Sequence, residues 1–517
     1  MATLPGRPNL EYLRRQAKDL LRAAQAGDTT AVGRIRAVSG RSTLAAAQLA
    51  VAREYGFASW ARLKTEVEAR TRDLARQVEE FCQASIRDWT GRAARMLVAT
   101  PEIADDFAAA VILGDIGRVR GAIERDPSLV TRADAGSGWT ALHAVCASRW
   151  HRLDPARADG LLAVARLLLD AGADPHAGTG GRAGQPGAWT PLRCAVAGAA
   201  NPPITRLLLD HGAVPDDHDL YLAAFGDDDH QCLRLLLDHT TDVAEIARTA
   251  LAAPISTKDV DGVRLLLEAG ADPRRYVADS APPAPVVYAA VRAGCTPELV
   301  ELLLAHGAEP DTPGPDGRSP YALATGQGQA DVAALLRRYG ARDDAAGIDR
   351  FLSACMRADH ADVHGQLARD PGLPARLTGA QQARAMIQAA ESGNTPAVAL
   401  MLDLGFPLQA RGAEDGGTAL HAAAYAGSLS TVQLLIGRGA DIEARDTTWD
   451  STPLVWAIIG SGERPTSNHH PDWVATVRTL IEAGASTQRI TLSPDDLKPP
   501  SPEVAELLRR HGIRGGG

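Results

Sequence analysis

The stretch GTALHAAAYAGSLSTVQLLIGRGADIEA, residues 417–444, decides the fold. Thr418 is a helix N-cap type, Leu420 and a run of alanines follow, and Gly427 interrupts the pattern. A second apolar run, Val432 to Ile436, closes in Gly439-Ala-Asp441, where a glycine takes the left-handed conformation that stops a helix. The reading is two short helices joined by a turn, a unit that cannot bury its apolar face alone and must stack on copies of itself. Those copies are present. Leucine runs of this kind recur at 167–174, 207–213, 265–272, 302–309, 335–341 and 480–485, which with 434–441 makes seven. Most neighbouring runs lie about 33 to 45 residues apart, the range of solenoid repeats, with wider gaps near 58 and 99.

The opening phrase recurs as well: Thr140-Ala-Leu-His143, Thr190-Pro-Leu192 and Thr452-Pro-Leu454 each precede an alanine-rich or apolar helix. Threonine caps the helix, proline is tolerated at its first position, and alanines let helices approach closely. Together these phrases resemble the ankyrin repeat, in which Thr-Pro-Leu-His opens an inner helix and an outer helix ends in Leu-Leu-x-x-Gly-Ala-Asp. The resemblance implies an all-α solenoid of helix-turn-helix repeats with short hairpin fingers. About eleven units are expected between residues 102 and 514, several of them degenerate. Residues 105–134 read as a capping unit, 220–247 and 248–283 keep their outer helices but have lost the phrase, and Ser319-Pro-Tyr321 is a variant of it. Residues 350–378 and 379–411 keep the two-helix rhythm, and Pro502 to Gly512 reads as a terminal outer helix with a charged exterior.

Residues 1–70 form a different, helical module. Leu10, Leu13, Ala17, Leu20, Leu21 and Ala24 follow one helical face to Gly27, and further helices are expected at Leu44 to Tyr55 and Trp60 to Ala69. This segment is similar to a leader found ahead of many bacterial ankyrin-repeat proteins, and the resemblance carries no biochemical activity. Through residue 70 there are 12 Lys and Arg against 6 Asp and Glu, about +6, so the formal charge of −9 leaves about −15 for the rest (−9 minus 6). Residues 71–101 read as a linking helix, Leu74 to Leu97. A basic helical module invites a nucleic-acid reading through Arg14, Arg15, Lys18 and Arg22, but these charges alternate with the apolar stripe as on any solvated helix and no recognition motif accompanies them. Nucleic acid is therefore disfavoured.

Composition suits a repeat array: 45% hydrophobic residues with only 4% aromatic, and no run approaching a membrane span. Met1 to Arg7 carries no signal-peptide core, and the six cysteines, at 82, 146, 194, 232, 295 and 355, are scattered singly. A soluble cytoplasmic protein with small buried thiols is expected, five of them inside repeat helices. No catalytic, cofactor or metal site is expected. His360 and His364 have metal-ligand spacing if helical, but His360 is expected in an inter-helix turn. Asp216-Asp-His-Asp219 and Asp227-Asp-Asp-His230 match no calcium loop, and Gly178 to Gly184 lacks the strand and Lys-Ser/Thr of a phosphate loop. His143 and His421 belong to the repeat phrase, where the resemblance implies bonds to neighbouring backbone.

What remains is surface. The resemblance implies a concave groove built from fingertips and variable inner-helix positions, which hold an unidentified protein partner. Carried over residue by residue, Trp139, Trp189 and Trp449 lie at fingers, and Phe225, Tyr425, Arg292, Arg357 and Glu391 take the exposed inner-helix slots. Aromatic and arginine side chains anchor interfaces. Insertions at Ser148–Gly160, with Trp150 and His151, and at Ser461–Trp473, with His469 and His470, are expected to add recognition surface. The expected function is a protein-binding scaffold or adaptor. The leading alternative is a regulatory inhibitor or antitoxin that occludes one partner enzyme; a metal-dependent enzyme using the acidic-His region is more remote. The oligomeric state is left open.

Overall fold

The computed structural model describes residues 10–87, 91–134, 137–179, 188–225, 229–275, 284–412, 415–463, 470–488, 490 and 500–513, with backbone only for 69–72. The described residues are helices and turns with isolated bridges, such as Arg411 with Thr418. The chain divides into two compact units, residues 1–180 and 181–517.

The first unit begins with α1 (Leu10–Gln25), α2 (Thr29–Arg36), α3 (Leu44–Glu54) and α4 (Trp60–Arg87). Leu13, Ala17, Leu20 and Ala24, spaced three or four residues apart on α1, are buried with Ile35, Ala47, Val51, Leu63 and Val67. Leu10 and Leu21 pack at the rim of this core. Helix α2 is absent from the sequence reading, because eight residues containing Gly33 carry little periodic signal; its N-cap, Asp28, accepts from the Thr30 and Ala31 amides. The expected break near residue 70 is also wrong. Between Trp60 and Arg87 there is no glycine or proline, so α4 runs on without interruption; the next helix, Arg92–Ala99, starts after Gly91 at φ 78°.

Helix pairs follow at Phe107–Ile112 with Ile116–Arg125 and at Ala141–Ala147 with Ala158–Asp170. The insertion between the last two folds as a short helix, Trp150–Leu153, and it does not offer its tryptophan as surface. Trp150 is buried, its Nε1 donates to Ser85 Oγ at 2.9 Å, its ring lies 6.0 Å from Phe81, and the Arg157 guanidinium covers it at 5.1 Å. The insertion therefore grips α4, burying an aromatic that the loop's length alone marked for recognition.

In the second unit the pairs run Pro191–Cys194 with Pro202–Asp210, Asp217–Ala223 with Gln231–Asp238, Ala252–Thr257 with Val260–Glu268, and Val286–Ala293 with Pro297–Ala305. They continue through Pro320–Gly326 with Ala330–Arg338, Gly347–Met356 with His360–Arg369, Gly379–Glu391 with Thr395–Asp403, Ala419–Tyr425 with Leu429–Gly437, and Pro453–Glu463 with Trp473–Glu482, before Pro502–Arg510. First helices pack mainly on first helices and second on second. Each leucine run supplies one residue with no exposed surface: Leu208, Leu266, Leu303, Leu336, Leu435 and Leu480. Burying a leucine contributes roughly 1.5 to 3 kcal/mol, so each run adds that much to the stacking of its unit. The glycines that end these helices have φ between 85° and 105°, as at Gly439 and Gly270, where a side chain would be strained. Close approach sets Gly460: a Cβ there would overlap the Tyr425 carbonyl oxygen. The positions Asn9, Gly180 to Gly184, Asp227, Asp228 and Arg464 to His469 fall outside the described residues.

Candidate functional site

The repeat phrase folds as a joint between neighbours. Thr418 is the N-cap of Ala419–Tyr425 and His421 its third helical residue; the Thr418 amide donates to His421 Nδ1 at 3.1 Å. His421 Nε2 then donates to the Ser451 carbonyl of the next unit at 3.1 Å. In the first unit Thr140 and His143 repeat this geometry, with His143 Nε2 3.0 Å from the Ala177 carbonyl. Burial lowers the His421 pKa below its ordinary value, so the imidazole serves as a neutral link.

The acidic run at 216–219 fills the same positions with charge. Thr190 caps Pro191–Cys194, and the third helical residue is Arg193. Its Nε donates to Asp219 Oδ1 at 3.0 Å and its Nη2 to Asp216 Oδ2 at 2.6 Å, while Nη1 donates to the Ala188 carbonyl. Asp216 and Asp219 are themselves the N-cap and third residue of the next inner helix. Burial, reinforced by Asp216, pushes the Asp219 carboxyl up to about 7 against the pull of Arg193. Asp217 is occupied too, accepting from the Thr249 amide and hydroxyl at 2.9 Å. Further along, Arg318 donates to Asp349, again a third helical residue. These acids are structural joints.

Among the described residues no group of three or more His, Cys, Asp or Glu side chains is placed to hold a metal ion. His360 begins the helix His360–Arg369 instead of lying in the turn before it, and His364 Nδ1 bonds the His360 carbonyl at 2.6 Å. Five cysteines are buried and Cys82 is partly so; Cys295 sits just past its helix, in the turn at Gly294, and not inside it. Burial pushes the Cys295 and Cys355 thiols up to about 12, leaving no activated nucleophile there.

The residues expected to bind a partner stand in different settings. Trp449, Phe225 and Trp189 are 64%, 45% and 42% exposed. Trp139, in the first unit, is half-buried with its ring 6.0 Å from His143. Tyr425 is likewise half-buried instead of facing outward, because Trp456 lies 6.0 Å from its ring and its hydroxyl donates to Glu463 Oε2 at 2.7 Å. Arg292, Glu391 and Tyr425 share one slot, each two residues before the positive-φ glycine of its turn. Arg357 does not. It precedes the positive-φ Ala358 directly, donates to Ser353 Oγ at 2.5 Å and Asp362 Oδ2 at 3.0 Å, and lines a recess of about 460 Å³ with Arg350 and Gln366.

The structure brings Tyr425 and Trp449 together around a residue the sequence reading left out. Trp456, 5.9 Å from the Trp449 ring, sits within the apolar run Pro453 to Ile459 and reads there as core. Asp446 organises the finger that carries Trp449, accepting from the Thr448, Trp449 and Ser451 amides and from Trp456 Nε1 at 2.9 Å. Burial opposes ionisation of Asp446, but these hydrogen bonds outweigh it and hold the carboxyl below the usual range.

Comparison with known proteins agrees with this geometry. A family model described as ankyrin repeats (3 copies) matches residues 351–446 and 387–488, and one described as ankyrin repeat matches 137–180. The chain is an ankyrin-repeat-containing protein, and its fold is the all-α ankyrin solenoid. It is also similar to Protein PhlB of Serratia liquefaciens, 32% identical over 110 residues; the match spans 21% of this chain and 47% of that protein, about half its length. Ankyrin repeats are protein-interaction domains, in general non-catalytic. No described helix is long and apolar enough to cross a membrane.

Proposed function

We propose that this chain is a protein-binding scaffold or adaptor without catalysis, holding its partner on the inner-helix and finger side of the repeats. One observation carries the reading. In a chain with 4% aromatic residues, Trp189, Phe225 and Trp449 are exposed at fingers or inner-helix ends, whereas the stacking positions are filled by buried leucine and alanine. Large aromatic side chains left in water at such positions fit interface anchors. A cytoplasmic location belongs to the same reading, supported by cysteines scattered singly along the sequence.

Affinity capture from the source cell with the full chain, compared with a Trp189→Ala, Phe225→Ala, Trp449→Ala triple variant, tests it. Capture should weaken by about tenfold or more, roughly 1.4 kcal/mol, with helical content unchanged because none of the three rings is core. Equal capture by a folded triple variant would overturn the proposal.

A further inference from the structure

The finger around Trp449 combines aromatic rings with carboxylates. Trp456 stands at its centre, with the Tyr425 ring inclined at 77° on one contact and the Trp449 ring at 66° on another. Two of the rings are anchored: Trp456 through Nε1 on Asp446, Tyr425 through its hydroxyl on Glu463 and its carbonyl, which accepts from Trp473 Nε1 at 2.9 Å. Glu391 is exposed at the end of the preceding inner helix, in the slot equivalent to Tyr425. Burial first, then Glu463 and Glu391, push the Tyr425 hydroxyl above its ordinary range, so both carboxylates bear on the same ring. Nearby Arg445 is engaged by Asp450 at 3.1 Å.

A core aromatic also finds a partner for its N–H or O–H, but an aromatic cluster made only for the core would be covered. Here Trp449 is the most exposed of the tryptophans described as exposed, and acids flank the rings. Ring faces carry negative potential, which adjoining carboxylates deepen, so the site attracts a cation and repels phosphate or acidic segments. The chain beyond residue 70 is itself about −15 (−9 minus 6), which favours a basic partner.

We propose that Tyr425, Trp449 and Trp456, with Glu391 and Glu463, form a seat for an arginine or lysine side chain presented by an extended basic segment of a protein partner. The inference rests on the inner-helix and finger side being the binding face.

Fluorescence anisotropy on the full chain tests it with Gly/Ser dodecapeptides carrying spaced arginines, glutamines or glutamates. The arginine peptide should bind about tenfold or more tighter than the glutamine peptide, and the glutamate peptide should not bind. Trp449→Ala should weaken arginine-peptide binding about fivefold, and Glu391→Gln should weaken it less while flattening its salt dependence. Both residues are exposed, so folding is retained. Equal binding of the glutamine peptide, or no effect of Trp449→Ala, would overturn the proposal. So would Trp449-dependent self-association in sedimentation, which makes a second copy the occupant. If partner capture needs the exposed aromatics while the arginine peptide fails, this inference falls and the scaffold reading stands; if capture ignores them, the scaffold reading falls.

Discussion

The joint at residues 418–451 and the joint at residues 190–219 use the same two helical positions, the N-cap and the third residue, for different chemistry. In one, Thr418 and His421 pass a neutral hydrogen bond to the Ser451 carbonyl. In the other, Arg193 reaches across to Asp219 and Asp216 of the next helix. The difference teaches that what this array repeats is a position, not a residue. Any side chain that caps its own helix and bonds the neighbour can occupy it, so a repeat that has lost the Thr-Pro-Leu-His phrase still stacks. The two chemistries fail differently. Removing a neutral link costs less than leaving a buried charge alone.

The comparison breaks most sharply at Arg193. Measured well above pH 7, where Asp219 is ionised, Arg193→Met should destabilise the protein by about 3 to 5 kcal/mol, because it leaves a buried carboxylate without its guanidinium. Chemical denaturation measures this, and adding Asp219→Asn should recover most of the loss. A single substitution as mild as a surface change would show that the pair does not hold the joint. Leu435→Ala, in the buried outer helix beside the neutral joint, should cost about 2 to 5 kcal/mol by the same measurement, and no loss would contradict its placement. His421→Ala should cost less, about 1 to 3 kcal/mol, by stranding the Ser451 carbonyl.

The smallest effect sharpens the comparison by sign. The folded pKa of His421 lies below its ordinary 6.5, so acidification charges the unfolded state first, and the neutral joint loses stability as pH falls through about 6.5. Asp219 is shifted the other way, from 3.8 to about 7: its protonated form favours the folded state below 3.8, and that contribution is lost as pH rises from about 4 to 7. Hydrogen exchange corrected for intrinsic rates should show helix 419–425 opening more in acid and helix 217–223 opening more towards neutrality. Asp219→Asn should abolish the second trend. Parallel trends in both helices would refute the contrast.

The fold was legible where local signals coincide. At 417–444 cap, alanine run, turn glycine and leucine run all point to one structure, and the backbone bonds of His143 and His421 follow from the resemblance of their phrase to the ankyrin repeat. The charged joint was not legible, because Arg193 and Asp219 are separated in sequence and each alone reads as surface. Trp150 misled for the same reason: its burial depends on Phe81 and Ser85, far earlier in the chain. At the candidate site Trp449 and Tyr425 stood out as aromatics at variable positions, but Trp456 was hidden inside an apolar helix and Asp446 inside a finger, where only the folded geometry joins them.

The central claim is that a partner lies on the inner-helix and finger side. Hydrogen exchange on the full chain, with and without the captured partner, tests it most directly. The account predicts slowed exchange in residues 419–425 and 446–456, with the outer helices 429–437 and 473–482 unchanged. Protection confined to those outer helices would contradict it.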